Sequence, residues 1–84
     1  MNRDPIIRKT LDATVDEQVI EIRGGVYEKP LYEHEGRTVY SAILLVDKAT
    51  NKLYSNPRNY GFRTEEELDT EMKYISENIE LFKP

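Results

Sequence analysis

TEEELDTEMKYISENIELF, residues 64–82, is the stretch from which the rest of the chain can be read. Leu68, Met72, Ile75, Ile79 and Phe82 recur at spacings of four, three, four and three, which sets all five on one face of an α-helix. Thr64 and Glu67 have the spacing of a capping box, in which each side chain serves the other residue's free backbone N–H. Glu65, Glu66 and Glu67 fill the first turn, where the positive end of the helix dipole favours negative charge. Lys83 and Pro84 close the last turn. Spacing and caps together predict an amphipathic helix over 64–82.

Upstream, Asn56-Pro57-Arg58-Asn59-Tyr60-Gly61-Phe62 is rich in breakers and predicts a loop delivering the chain to Thr64. Lys52–Ser55 predicts a short strand pairing back across a turn at Asp47–Asn51, which Asp47 can start and Asn51 can end in the left-handed conformation. Arg37–Val46 is the longest β signal. Val39, Ile43 and Leu45 fall on one face, and Tyr40, Ala42, Leu44 and Val46 on the other. A strand apolar on both sides is normally central and covered on both. One helix covers only one face, so the second needs the N-terminal segment, a curled sheet or another molecule.

Nearer the N-terminus the signals compete. Val26–Tyr32 reads as an extended run that Pro30 marks as an edge or irregular strand, and Glu33-His34-Glu35-Gly36 as a turn. Gln18–Arg23 reads as a β-branched strand ended by a turn at Gly24-Gly25. A helical alternative rests on a second capping box, Thr14 with Glu17, on Val15, Val19 and Ile22 at helical spacing, and on Gly24 as a C-terminal cap. Asp4-Pro5 resembles an N-cap with proline at the first helical position, and Ile7, Leu11 and Val15 follow at helical spacing. The same segment also alternates, with Ile7, Leu11, Ala13 and Val15 odd-numbered and Arg8, Thr10, Asp12 and Thr14 even. The expectation here is a short helix from Pro5 to about Ala13, with an extended segment as the alternative.

The architecture expected is α+β: an antiparallel three- to four-stranded β-meander packed against the C-terminal amphipathic helix, with a short N-terminal helical or extended segment. Its 84 residues make a single domain over 1–84, too short for two independent cores. No internal repeat or low-complexity tract is present.

Composition excludes several functions. The chain has no cysteine, so it offers neither disulfide nor thiolate chemistry. No apolar run approaches the roughly 20 residues of a membrane helix, and Met1-Asn2-Arg3-Asp4-Pro5 lacks the plan of a signal peptide, so the expectation is a soluble cytoplasmic protein without membrane partners. His34, the sole histidine, lies between Glu33 and Glu35. Adjacent residues in an extended turn point apart and make a poor metal site. With no triad and no glycine-rich phosphate loop, the expectation is a non-enzyme with no catalytic residues, no metal and no cofactor.

Charge is segregated. Residues 1–35 carry a net −3, residues 36–63 a net +4, and residues 64–84 a net −5, within a total of −4. Three surfaces follow. The carboxylates Glu65, Glu66, Asp69, Glu77 and Glu80, off the apolar stripe, suit a partner protein with a basic surface, with Tyr60, Phe62 and Tyr74 as aromatic anchors. The plain alternative is a solvated helix face, or one neutralised by Arg37, Arg58 and Arg63. Arg37, Tyr40, Tyr54, Arg58, Tyr60 and Arg63 combine cations for phosphate with rings for unpaired bases, as a single-strand nucleic-acid binder needs. Homodimerisation through the helix or an edge strand stays open. The function expected is a small acidic binder that regulates or inhibits another macromolecule, first of all a protein, of the sort encoded by phages and mobile elements. Single-stranded nucleic-acid binding is the alternative.

Overall fold

The structure, a computed structural model, describes residues 4–29, 33–34 and 37–84, with the backbone alone at Glu33, His34 and Arg37. It is α+β: β1 (Ile6–Val15), β2 (Gln18–Val26), β3 (Glu33–His34), β4 (Arg37–Thr38), β5 (Ser41–Asp47), β6 (Lys52–Leu53) and β7 (Arg58–Tyr60) precede α1 (Glu65–Glu77) and a 3-10 turn, Ile79–Phe82. β1, β2 and β5 are antiparallel neighbours, and β6 and β7 both pair with β5. β3 and β4 form a separate two-stranded ribbon. The expected meander under a C-terminal helix is what forms.

Of the two readings of the N-terminal segment, the extended one stands and the helix over Pro5–Ala13 does not form. Odd-numbered Leu11, Ala13 and Val15 turn inward, opposite Ile22, Ile20 and Gln18 of β2. The two-residue turn between the strands, Asp16-Glu17, has φ of 50° and 66°. Positive φ at both centres is the turn whose twist matches a hairpin. That pairing bears out the strand expected at Gln18–Arg23 and excludes its helical alternative, with the capping box at Thr14 and Glu17.

Gly24-Gly25 does not end β2 but lies inside it. A Cβ on Gly24 would collide with Met72 Sδ and lie 3.2 Å from Leu68 Cγ, and one on Gly25 would lie 2.9 Å from Pro5 Cβ. The pair is where α1 presses on one face of the sheet and the N-terminal segment on the other.

β5 is central, as its two apolar faces require. Ile43 and Leu45 join Ile20, Ile22, Ala13 and Val15 under Leu68, Met72, Ile75 and Ile79 of the helical layer. Ala42 and Val46, on the opposite face of β5, are buried too. Pro5 reaches that second face at Gly25, but Val19 and Leu53 stay exposed on it. The turn after β5 is the one expected: Asn51 has φ 60°, its N–H donates to the Asp47 carbonyl, and Asp47 Oδ1 accepts from Ala49 N–H at 2.9 Å.

The loop expected at 56–62 contains a strand. Between the pairs Val46↔Leu53 and Ile43↔Arg58, β5 steps back three residues while the returning chain advances five, so two extra residues are looped out around Pro57. The outermost strand is thereby split into β6 and β7. The run Arg37–Val46 is likewise interrupted at Val39-Tyr40. Of the extended run expected over Val26–Tyr32, β2 takes Val26, whereas Pro30–Tyr32 lie outside the described residues, as do Glu35 and Gly36 of the expected turn.

The helix starts where the sequence places it. Thr64 Oγ1 accepts from Glu67 N–H at 3.2 Å, and its hydroxyl donates to Glu67 Oε1 at 3.1 Å, so the return contact runs through the hydroxyl rather than through the Thr64 N–H. It ends earlier than expected. Asn78 caps it, its backbone N–H donating to the carbonyls of Tyr74 and Ile75 and its side-chain amide to Tyr74, and the chain tightens into the 3-10 turn. Ile79 remains buried after that change, while Phe82 is half-buried.

Candidate interaction surfaces

At about 100° per residue, Glu65, Glu66, Asp69, Lys73 and Glu77 share one flank of α1, and Glu80 follows in the 3-10 turn. Lys9 of β1 pairs with Asp69, which fixes this flank along the β1 margin. The hydrogen bond from Lys9 holds the Asp69 carboxyl below its usual range, with further help from Lys73 at 3.6 Å. Farther along, Lys83 Nζ meets Asp16 at 2.7 Å, so α1 and β1 run side by side in the same direction. β1 bulges between Ile7 and Lys9. Arg8 and Lys9 consequently line one groove of about 350 Å³ with Glu65, Glu66, Leu68 and Asp69.

Of the five carboxylates proposed for partner binding, Asp69 alone is paired. The side chains of Glu65, Glu66, Glu77 and Glu80 are exposed and make no hydrogen bond or ion pair among the described residues. Neither Arg58 nor Arg63 pairs with them. Arg58 lies over the ring of Phe82, 4.6 Å from its centroid, and Arg63 over Tyr40 at 4.5 Å. The side chain of Arg37 is outside the described residues.

The opposite flank of α1 is aromatic. Tyr60 donates from its hydroxyl to Glu71 Oε2 at 3.0 Å, and its ring stacks on Phe62 at 4.6 Å and 12°. Burial, and then the Glu71 carboxylate, push the Tyr60 phenol well above its ordinary value. Tyr60 and Phe62 are both half-buried against the core, so of the three expected anchors only Tyr74 stands out, 49% exposed and edge-on to Phe82 at 6.2 Å. Tyr74 and the more exposed Leu81 lie at the outer side of the helical layer.

Of the six residues of the nucleic-acid reading, the Arg37 side chain lies outside the described residues, and Tyr40 and Arg63 line a different groove from Tyr54 and Arg58. Tyr40 and Arg63 line a groove of about 340 Å³ with Arg8, Val26, Tyr27, Phe62 and Glu65. Tyr54 and Arg58 line another, of about 590 Å³, against Phe82, Lys83 and Pro84. Arg63 covers one face of the Tyr40 ring, and Phe62 covers one face of Tyr60.

The residues that sequence reasoning passed over are Thr10, Asp12 and Thr14 on the outer edge of the sheet. The two-residue turn makes Val15 and Gln18 a bonded pair, and in an antiparallel ladder bonded pairs alternate. Ala13, Leu11 and Lys9 therefore direct their N–H and C=O groups at β2. Those of Thr10, Asp12 and Thr14 point outward, where no further strand pairs among the described residues. No helix of the described chain is long and apolar enough to cross a membrane. Comparison with known protein families, curated proteins and solved structures finds no match to this chain.

Proposed function

We propose that this chain is a small acidic binding protein that regulates or inhibits another macromolecule, a protein with a basic surface, through the carboxylate flank of α1. The observation that carries this reading is the state of its charges. Glu65, Glu66 and Glu77 are exposed and make no ion pair among the described residues, Glu80 is exposed with only the field of Lys83 acting on it, and Arg58 and Arg63 lie over aromatic rings rather than against these carboxylates. Unpaired like charges along one flank repel one another unless a partner supplies cations, and such a field also speeds encounter with a basic surface. Tyr74, on the outer side of the helical layer, offers an exposed ring as anchor.

The test compares the wild-type chain with a Glu65→Lys, Glu66→Lys, Glu77→Lys, Glu80→Lys variant in pull-downs from host lysate, with circular dichroism as the check on folding. A basic partner retained by the first and lost by the second is the expected result. Identical captures by both would overturn the reading. Titration of labelled single-stranded DNA and RNA at low salt tests the nucleic-acid alternative, because the electrostatic attraction is greatest there. Binding that the charge reversal strengthens and Arg63→Gln weakens would favour that alternative instead.

A further inference from the structure

We infer that the outer edge of β1 receives an extended, basic segment of the partner as an added strand. This rests on the function proposed above and specifies how the basic partner is held. The two margins of the sheet differ in their fitness for such pairing. On the far margin, β6 and β7 are pieces of two and three residues with Pro57 between them. β1 is the longest strand, and from Thr10 to Val15 it pairs with β2 in unbroken register. The outward N–H and C=O groups of Thr10, Asp12 and Thr14 are a template for another backbone.

Charge specifies the occupant. A strand added to β1 lies about 4.8 Å from it, and every second side chain points toward the helical layer. There it meets the flank on which Lys9 and Lys73 already pair Asp69 while Glu77 stands exposed, with the exposed Glu80 and the Lys83-paired Asp16 toward the far end. Alternating lysine or arginine on the incoming strand complements that wall. A second copy of this chain does not. Two-fold pairing of β1 with itself sets both helices on one face of the joined sheet, with their acidic flanks opposed.

The test uses fluorescence anisotropy and amide exchange on the full chain. The probes are a labelled nine-residue peptide of alternating lysine and threonine, its fully N-methylated form, and an isomer with its lysines in one block. The alternating peptide is expected to bind at low salt and to slow exchange at the Thr10, Asp12 and Thr14 amides. N-methylation, which keeps the charge and removes the backbone donors, is expected to weaken binding at least about tenfold. Thr10→Pro, which removes an outward N–H, should weaken it similarly, and the N-methylated peptide covers the case in which that variant fails to fold. Equal binding by the alternating, N-methylated and block peptides, lost in Glu77→Gln, Glu80→Gln, would overturn strand addition and leave the basic-partner reading standing. Failure of every basic peptide to bind at low salt would overturn both. A dimer in sedimentation that Thr10→Pro abolishes would assign the edge to a second copy and overturn the peptide as its occupant.

Discussion

Along the β1 margin a single ten-residue strand, in unbroken register from Lys9 to Val15, lies beside a helix flank of carboxylates, whereas along the opposite margin two short strands lie beside a flank of rings. Both margins hold arginine or lysine, but they use it differently. On the aromatic side Arg58 lies over Phe82, and the neighbouring Arg63 over Tyr40. On the acidic side Lys9 meets Asp69 alone among the five surface carboxylates. Net charge by segment suggested that the basic middle and the acidic helix neutralise each other. Among the described residues, pairing by geometry instead leaves Glu65, Glu66 and Glu77 without an ion pair.

The largest effect is expected at the packing that both margins share. Met72 is fully buried between them, and Met72→Ala should cost about 2–5 kcal/mol in urea denaturation, loosening both flanks of α1 together. Loss of only one margin's amide protection would show that the margins are independent. Gly24→Ala drives a Cβ into Met72 from the sheet side, and overpacking of this kind costs about 1–3 kcal/mol by the same assay. Tyr60→Phe acts on the aromatic margin alone. Loss of its bond to Glu71 should cost about 1 kcal/mol.

The smallest effect belongs to the acidic margin and depends on pH. Asp69, bonded by Lys9, and Asp47, bonded by Gln18 and the Ala49 N–H, both titrate below the ordinary value of 3.8. A carboxyl depressed in the folded state contributes stability that is fully present above its unfolded value and is lost as pH falls through the folded one. Urea midpoints should therefore drop below about pH 4, and Lys9→Gln should shallow that drop by lowering the midpoint slightly at neutral pH while leaving it unchanged once Asp69 is protonated. An unchanged acid limb in Lys9→Gln would show that the β1 margin contributes nothing to it.

Legibility in the sequence followed the range of the forces involved. The helix start was readable because a cap and an apolar stripe are local. β5 was readable because residues apolar on both faces leave a strand few places but the centre. β1 was ambiguous for an arithmetical reason: Ile7, Leu11 and Val15, four apart, satisfy a period of 3.6 and a period of two equally well. Gly24-Gly25 looked like punctuation because the reason for having no side chain there, Met72 above and Pro5 below, arrives from distant parts of the chain. β7 was hidden among breakers, since its strand character comes from the edge of β5. Among the candidate site residues, the carboxylate flank could be read from helical spacing. The edge at Thr10, Asp12 and Thr14 could not, because being outermost in a sheet is a property of the whole topology. The rings that hold Arg58 and Arg63 were equally out of reach.

α1 follows in the chain every strand that it covers, and Lys9–Asp69 and Asp16–Lys83 join segments 60 and 67 residues apart. During synthesis the hairpin of β1 and β2 can therefore pair early, but Ile20, Ile22, Ile43 and Leu45 stay uncovered until Ile79 has left the ribosome. Over that interval the apolar face of these strands has no helix to cover it. A ribosome stalled before the helix codons would release a fragment suited to chaperones and proteases rather than to a partner.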